Sequence, residues 1–492
     1  MVRRTKIVAT LGPAINTEDI LQQLIAAGVN VVRINMSHGT AAERVHWIEQ
    51  TRAIARRLNT EVGILVDLQG PKIRVSRFKS GKVQLVTGQQ FILDADLAND
   101  QGTEQAVGID YKTLPTDVHS GDILLLDDGR VVLEVKKIEG KKIHCQVNLG
   151  GVLSNNKGIN RQGGGLSAQA LTQKDQQDIV FAAQHEVDYV ALSFPRSAAD
   201  VVHCRELLVS AGSKAGVIAK IERVEAVDAL DEIIKVSDAV MVARGDLGVE
   251  IGFAELPAIQ KRIISRARAL DRAVITATQM MESMIDSPIP TRAEVSDVAN
   301  AVLDGTDAVM LSAETASGHY PVQAVESMAE ICLVAERQKD NQVSLPISAE
   351  QFERVDQALA MAAMYAANNL GVKAIIALTE SGATTLWMSR VNSDIPIYGI
   401  SRNPMARGRM TLYRGVYPIE LDITNYKRWE IIRVVLTMLR DQGIVQAGER
   451  IVVTRGDATG IEGFTNTLKV VTVEAPPPNL PQSRDLGEGA SS

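Results

Sequence analysis

The chain repeats one pattern: a short apolar run ends in a polar residue, and an amphipathic stretch follows. The runs are Ile7–Ala9, Val31–Ile34, Ile64–Val66, Tyr189–Leu192, Val217–Ala219, Ala239–Ala243, Val274–Ala277 and Ala308–Leu311. Continuous apolar runs rich in β-branched residues, separated by helix patterns, read as parallel strands buried on both faces. Eight such βα units predict an α/β fold, a (β/α)8 TIM barrel, whose chemistry gathers at the C-terminal ends of the strands. The stretch from Thr17 to Gly28 has an N-cap candidate, acidic residues in its first turn and a closing glycine. Leu256–Ala269 is also helix-like, with Pro257 where a missing N–H does no harm.

Two departures divide the chain. Between the third and fourth runs, 71–165 alternates apolar and polar residues and carries turn signals at Lys79-Ser-Gly, Ser120-Gly-Asp, Asp127-Asp-Gly and Glu139-Gly, an all-β reading. The barrel is then discontinuous, 1–70 and 166–339. A second α/β section, 340–474, follows with strands expected at Ala374–Leu378, Ile395–Ile400, Arg450–Thr454 and Thr467–Val473. The tail 475–492 is Pro-rich, then Gly/Ser-rich, and is expected to be disordered.

Composition narrows the class. Hydrophobic residues are 45% of 492 and charged residues 23%, as in an ordinary globular protein of several domains. A net charge of -7 without a basic block argues against nucleic acid and anionic membrane surfaces as partners. Cys145, Cys204 and Cys332 are far apart, which argues for a reducing compartment and against a thiolate zinc site. No apolar run approaches the ~18 residues of a membrane helix. The apolar stretch after the basic start is too short for a signal peptide and breaks at Gly12-Pro13. The chain is therefore expected in the cytoplasm, and the sequon Asn35-Met-Ser37 is read as chance.

The strand ends carry Thr10, Arg33 with Asn35, Asp67, Ser193, Lys220 with Glu222, Arg244 to Asp246, Thr278, and Ser312 with Glu314. Each has an ordinary structural reading alone. Together they bring cations, carboxylates and hydroxyls to one barrel face. In Lys220-Ile-Glu222, strand alternation sends both charged side chains to the same side. Burying such charges is unfavourable unless they are paired or used. Glu222 and Asp246 suit Mg2+, a hard cation taking oxygen ligands, and no His or Cys cluster competes for a softer metal. The glycines of Ala243-Arg-Gly-Asp-Leu-Gly248 free backbone N–H groups for an anion at a helix start.

These residues resemble one family closely. Val32-Arg-Ile-Asn-Met-Ser-His-Gly39, Asp67-Leu-Gln-Gly-Pro-Lys-Ile-Arg74, Lys220-Ile-Glu222 and Met241-Val-Ala-Arg-Gly-Asp-Leu-Gly-Val-Glu250 look like pyruvate kinase. So do Ala273–Met280, Pro290–Glu294 and Asp304–Thr315, and the likeness runs from about residue 4 to about 474. The resemblance implies that 71–165 is a lid and 340–474 a regulatory, effector-binding domain. It implies transfer of a phosphoryl group from phosphoenolpyruvate to ADP, giving pyruvate and ATP, the last step of glycolysis. Arg33 would grip the phosphoryl and Lys220 would stabilise it in transit. Glu222 and Asp246 would hold one Mg2+, with a second arriving on the nucleotide. Gly245, Asp246 and Thr278 would take the substrate carboxylate. Pro13, Asn35, His38, Arg74 and Lys157 would hold the nucleotide, and Asn35, Ser37 and Asp67 match a monovalent-cation site. Thr278, or a water linked through Thr278 and Ser312, would protonate the enolate. A homotetramer is implied by the same analogy.

Two positions single out a branch. Leu68 follows Asp67 where potassium-dependent members carry Thr, and Lys72 stands where they carry Glu. The pattern resembles the K+-independent branch, in which a lysine ammonium supplies the charge. Thr379, Ser381, Gly382 and Thr384 lie in a loop matching the family's phosphate-binding effector loop. The closing segment from Thr454 to Gly460 departs from the pattern associated with fructose 1,6-bisphosphate, so a sugar monophosphate or AMP is the expected activator. Two rival classes are a Mg2+-enolate lyase, which would need no nucleotide clamp, and a silent metabolite-binding protein, which would be free to lose Arg33 or Lys220.

Overall fold

The computed structural model describes residues 2–15, 17–71, 73–338, 352, 354–457 and 463–474. The expected tail, 475–492, and Lys72 lie outside the described residues. Eight parallel strands close into a barrel: β1 (Lys6–Thr10), β2 (Val31–Asn35), β3 (Gly63–Asp67), β4 (Tyr189–Leu192), β5 (Gly216–Ile221), β6 (Ala239–Ala243), β7 (Ala273–Ala277) and β8 (Ala308–Leu311). Each expected run became a strand, in several cases one or two residues longer at an end. The register sets Thr10 beside Arg33 and Asn35 beside Asp67 at the C-terminal rim.

Local chemistry fixes the helices between them. Thr17 and Thr40 accept backbone N–H groups as N-caps, and Thr40 with Glu43 makes a reciprocal capping box. From the helix so started, Ala41–Arg57, the Arg44 guanidinium reaches back to the carbonyls of Met36, His38 and Gly39. The loop leaving β2, which carries Asn35 to His38, is braced in this way.

Between β3 and β4 lies a separate β-rich unit. A six-stranded sheet (159–161, 123–126, 131–139, 142–149, 90–94, 106–108) and a two-stranded ribbon (151–154 with 82–85) enclose their own apolar core around Phe91, Leu124 and Val135. The all-β expectation missed one short helix here, Leu114–Asp117, with Pro115 in its first turn. The C-terminal section is a five-stranded sheet, in spatial order 416–420, 397–401, 374–378, 450–456 and 465–472. Four of its strands were expected. The fifth, Val416–Glu420, carries Pro418 and lies at the sheet edge, where a missing N–H is tolerated and an apolar pattern is weak.

The two appended units attach differently. Val8, Leu65 and Ile275 inside the barrel share one continuous apolar cluster with Met364, Met388 and Met410 of the C-terminal section. Helix Pro404–Met410 seats so closely on the barrel floor that a Cβ on Gly408 would overlap the Asp188 carboxylate. The β-rich unit joins through its two connecting segments, the second containing Gly163, Gly164 and Gly165, all at positive φ.

Candidate active site

Between the barrel rim and the β-rich unit opens a cleft of roughly 1250 Å3. Arg33, Asn35, Ser37 and Asp67 line it from β2 and β3, Lys220, Glu222 and Asp246 from β5 and β6, and Arg74 and Lys157 from above. Buried charges meet at its base. Arg33 Nε and Nη2 both lie 2.7 Å from Asp67 Oδ2, and Arg33 Nη1 donates to Thr10 Oγ1 at 3.0 Å. Lys220 Nζ donates to Ser193 Oγ at 2.8 Å and lies 3.0 Å from Glu222 Oε1 and 3.3 Å from Asp67 Oδ1. Ser193 in turn donates to the Leu68 carbonyl at 2.7 Å. The ammonium thus has three fixed partners on three strand ends.

The electrostatics follow from burial and pairing. Burial opposes the Lys220 charge, but Asp67 and Glu222 outweigh it and hold the ammonium protonated beyond its ordinary range. Burial would raise the Asp67 carboxyl, and Lys220 with Arg33 reverses this and holds it below its usual value. Burial pushes Glu222 up to about 7, Lys220 opposes it, and the Asp246 carboxylate adds to it. Asp246 is raised as well, by burial first. At the base of the cleft the Asp67, Glu222 and Asp246 carboxyls thus gather around Arg33 and Lys220. Such a site fits a divalent cation, and two carboxylates leave most of its coordination to water and substrate oxygens, as Mg2+ prefers. Among the described residues no cluster of three or more His, Cys, Asp or Glu forms a closed metal cage.

Beyond β7 the backbone is strained. Thr278 and Gln279 both adopt left-handed conformations, at φ 65° and 52°. Thr278 Oγ1 donates to the Ala277 carbonyl at 2.6 Å and accepts from the Gly245 N–H at 2.9 Å. The Gly245 amide, expected to face a substrate carboxylate, is thus engaged by Thr278. Glu314 accepts from the backbone N–H groups of Met281 and Ser312 and ties the loops after β7 and β8 together. Among the described residues no hydrogen bond joins the hydroxyls of Thr278 and Ser312.

Models of the pyruvate kinase barrel domain and of the pyruvate kinase alpha/beta domain match residues 2–325 and 357–471. Pyruvate kinase II of Salmonella typhimurium is 55% identical over 477 residues, covering 96% of this chain and 99% of its own. A pyruvate kinase of Haemophilus influenzae is 53% identical, with 96% and 99% covered. The crystal structure of a pyruvate kinase from Cryptosporidium parvum superposes with a TM-score of 0.87 at 33% identity, covering 96% of each chain. The chain belongs to the pyruvate kinase family. Members are phosphotransferases that depend on a divalent metal and act on phosphoenolpyruvate and ADP.

For a pyruvate kinase the remaining expected residues fall unevenly. Pro13 and His38 are exposed on loops after β1 and β2 and do not line the cleft. Lys157, expected on the nucleotide, is paired with Asp127 at 2.8 Å. Asp127 and Asp128 were legible only as a turn; both adopt positive φ and both line the cleft, and Asp128 adds to the upward shift of Asp246. Arg244, grouped by sequence with Arg33 and Lys220, points away from the cleft into the barrel rim. Among the described residues no helix is long and apolar enough to cross a membrane.

The expected effector loop borders a second cleft, in the C-terminal section. Thr379, Ser381 and Thr384 line it, together with Arg402, Arg428 and Arg455. Gly382 takes the left-handed conformation at the cap of helix Ala383–Arg390, and its N–H donates to Thr379 Oγ1 at 3.0 Å. The Thr384 hydroxyl is instead paired with that of Thr465 at 2.9 Å.

Proposed function

We propose that this pyruvate kinase family member transfers the phosphoryl group of phosphoenolpyruvate to ADP. The observation that carries the reading is Lys220, held by Ser193, Asp67 and Glu222 beside Arg33 in a cleft roofed by Arg74 and Lys157. In the transfer, the bond between phosphorus and the enol oxygen breaks as a bond from an ADP β-phosphate oxygen to phosphorus forms. Arg33 and Lys220 are fixed before substrate arrives, so their charges meet the three equatorial oxygens without reorganisation. Glu222 and Asp246 would hold the divalent cation, which neutralises charge on substrate oxygens when bound. Arg74 and Lys157 face the nucleotide, Lys157 exchanging Asp127 for phosphate, and Asn35 extends the same wall; Pro13 and His38 would meet the nucleotide at its exposed end. The enolate left behind takes a proton on its methylene carbon. Thr278 relays that proton, because its hydroxyl is aimed by two bonds and Lys220 must stay charged. A coupled assay for ATP from phosphoenolpyruvate and ADP tests the reading. Lyase activity on pyruvate-derived substrates without ATP formation overturns it.

Three finer features belong to the same proposal. The enzyme works without K+, with Lys72 as cation substitute for the site that Asn35, Ser37 and Asp67 match. The second cleft takes the phosphate of a sugar monophosphate or AMP, an activator. The assembly is a homotetramer, which light scattering of the purified protein checks.

A further inference from the structure

Thr278 is β-branched and held at φ 65°, and Gln279 follows at 52°. Such backbone is unfavourable and persists only where surrounding groups impose it. The side chain bonded to this backbone is that of Arg244. Its side chain, 7% exposed, leaves the end of β6 and turns under β7. Nε donates to the Ala277 carbonyl at 3.0 Å and the Thr278 carbonyl at 3.2 Å, and Nη2 donates to the Thr278 carbonyl at 2.6 Å. Nη1 lies 2.7 Å from Asp297 Oδ1, so the fork has one orientation. Two consecutive carbonyls are pulled toward one guanidinium, and the Thr278 side chain is thereby directed at the Gly245 N–H.

We propose that Arg244 is a positioning residue for the proton-transfer step. It acts on Thr278 through the backbone, and Asp297 fixes its fork. The inference rests on the proposed role of Thr278. A lysine cannot replace it, because a single ammonium lacks the planar fork that spans two carbonyls while pairing with Asp297.

The test compares Thr278→Val, Arg244→Met, Arg244→Lys, Asp297→Asn and the Thr278→Val/Arg244→Met double variant. Each is assayed for ATP formation and for exchange of pyruvate methyl protons with D2O in the presence of Mg2+. Melting temperatures identify any variant that fails to fold. Displacing a reacting group by about 1 Å lowers rates about 100-fold. Arg244→Met is therefore expected to lose about 100-fold in kcat and in exchange, with KM for phosphoenolpyruvate little changed. The lysine variant recovers less than about a tenth of the loss, and Asp297→Asn, the milder change, loses about tenfold with a native melting temperature. The double variant is no slower than the worse single one, because both changes remove the same placement. Impaired exchange in Thr278→Val with normal exchange in Arg244→Met or in a folded Asp297→Asn overturns the inference and leaves the role of Thr278 standing. Normal exchange in Thr278→Val overturns the role of Thr278 and the inference with it.

Discussion

Two clefts in this molecule are proposed to take phosphate, and they are built in opposite ways. At the barrel rim, charges sit on the ends of buried strands: Asp67 is 1% exposed and pairs with Arg33 and Lys220 from two other strands, and Glu222 is 2% exposed and pairs with Lys220 at the end of its own strand. In the C-terminal section Arg402 and Arg428 stand on loops, and Arg455 lies near the end of strand 450–456. Arg402 pairs loosely with Glu380 at 3.7 Å, and Arg428 pairs with Asp457, with side chains half exposed. A buried pair loses several kcal/mol when one partner is removed, whereas an exposed pair contributes about 0–1 kcal/mol. Transfer needs charge fixed before the substrate arrives, because reorganisation adds to the barrier. An effector site needs only to bind and release, so solvated arginines, hydroxyls and one helix start suffice.

The largest expected effect lies in the first cleft. Lys220→Met is expected to cut phosphoryl transfer by at least about 1000-fold, more than loss of a single neutral donor, because two carboxylates lose their cation together. The exchange of pyruvate methyl protons is expected to survive in large part, since Thr278 is placed independently of Lys220. Both rates are read on one preparation, the first by coupled assay and the second by NMR. Equal loss of both would assign both steps to Lys220.

The next effect lies in the seam that joins the two regions. Asp188 accepts from the Ile64 N–H at 2.7 Å, under β3, and is pressed against Gly408 of the C-terminal section. Burial pushes its carboxyl up to about 7, against about 3.9 in an unfolded chain. The folded state therefore holds a proton that the unfolded state releases. The stability this gives is complete below about pH 4 and is lost as pH rises to about 7, by about 1.4 kcal/mol per unit at most. Asp188→Asn keeps an acceptor for Ile64 and cannot ionise. Urea midpoints of the variant are expected to gain on wild type steadily from pH 4 to 7 and to stay level above it. A parallel pair of curves would show that Asp188 is charged in the fold throughout.

These regions also differ in how far their sequences could be read. The barrel strands are apolar on both faces, so their runs stand out, and rim residues follow each run by position. Lys220 and Glu222 could be placed together from strand alternation alone. The fate of Arg244 could not, because nothing local says whether a long cation at a strand end faces the cleft or turns back under β7. Asp127 and Asp128 read as a turn; only the folding of the β-rich unit over the barrel brings them to the cleft. Lys157 was legible as a cation, and its partner Asp127 was not, since the two meet across strands. Val416–Glu420 escaped because Pro418 masks an edge strand.

A smaller effect tests the second cleft by itself. Ser381→Glu puts a negative charge at the start of helix Ala383–Arg390, where phosphate is proposed to bind. Activation by a sugar monophosphate or AMP is expected to fall about tenfold in concentration dependence, the loss that about 1.4 kcal/mol of repulsion produces. Activity without effector is expected to match wild type, because the substitution is exposed to the second cleft alone. An unchanged activation curve for every phosphorylated compound would remove this loop from regulation.

The smallest expected effect is none at all, and it bears on why the first cleft is so fully paired. A monovalent cation beside the phosphoryl needs free oxygens. Here Asn35 Oδ1 accepts from the Ser37 N–H at 3.0 Å, and the Asp67 oxygens face Arg33 and Lys220. Leu68 is 1% exposed, its N–H donates to the Ala191 carbonyl, and its side chain offers no hydroxyl. Lys72, proposed as the cation substitute, lies outside the described residues. The wild-type enzyme is therefore expected to turn over at the same rate in tetramethylammonium buffer as in K+. The double change Leu68→Thr with Lys72→Glu supplies a hydroxyl and a carboxylate and removes the ammonium, and is expected to create a K+ requirement. A wild-type enzyme nearly inactive until K+ is added would mean that Lys72 points away from the cleft and that its charge does not serve the phosphoryl group.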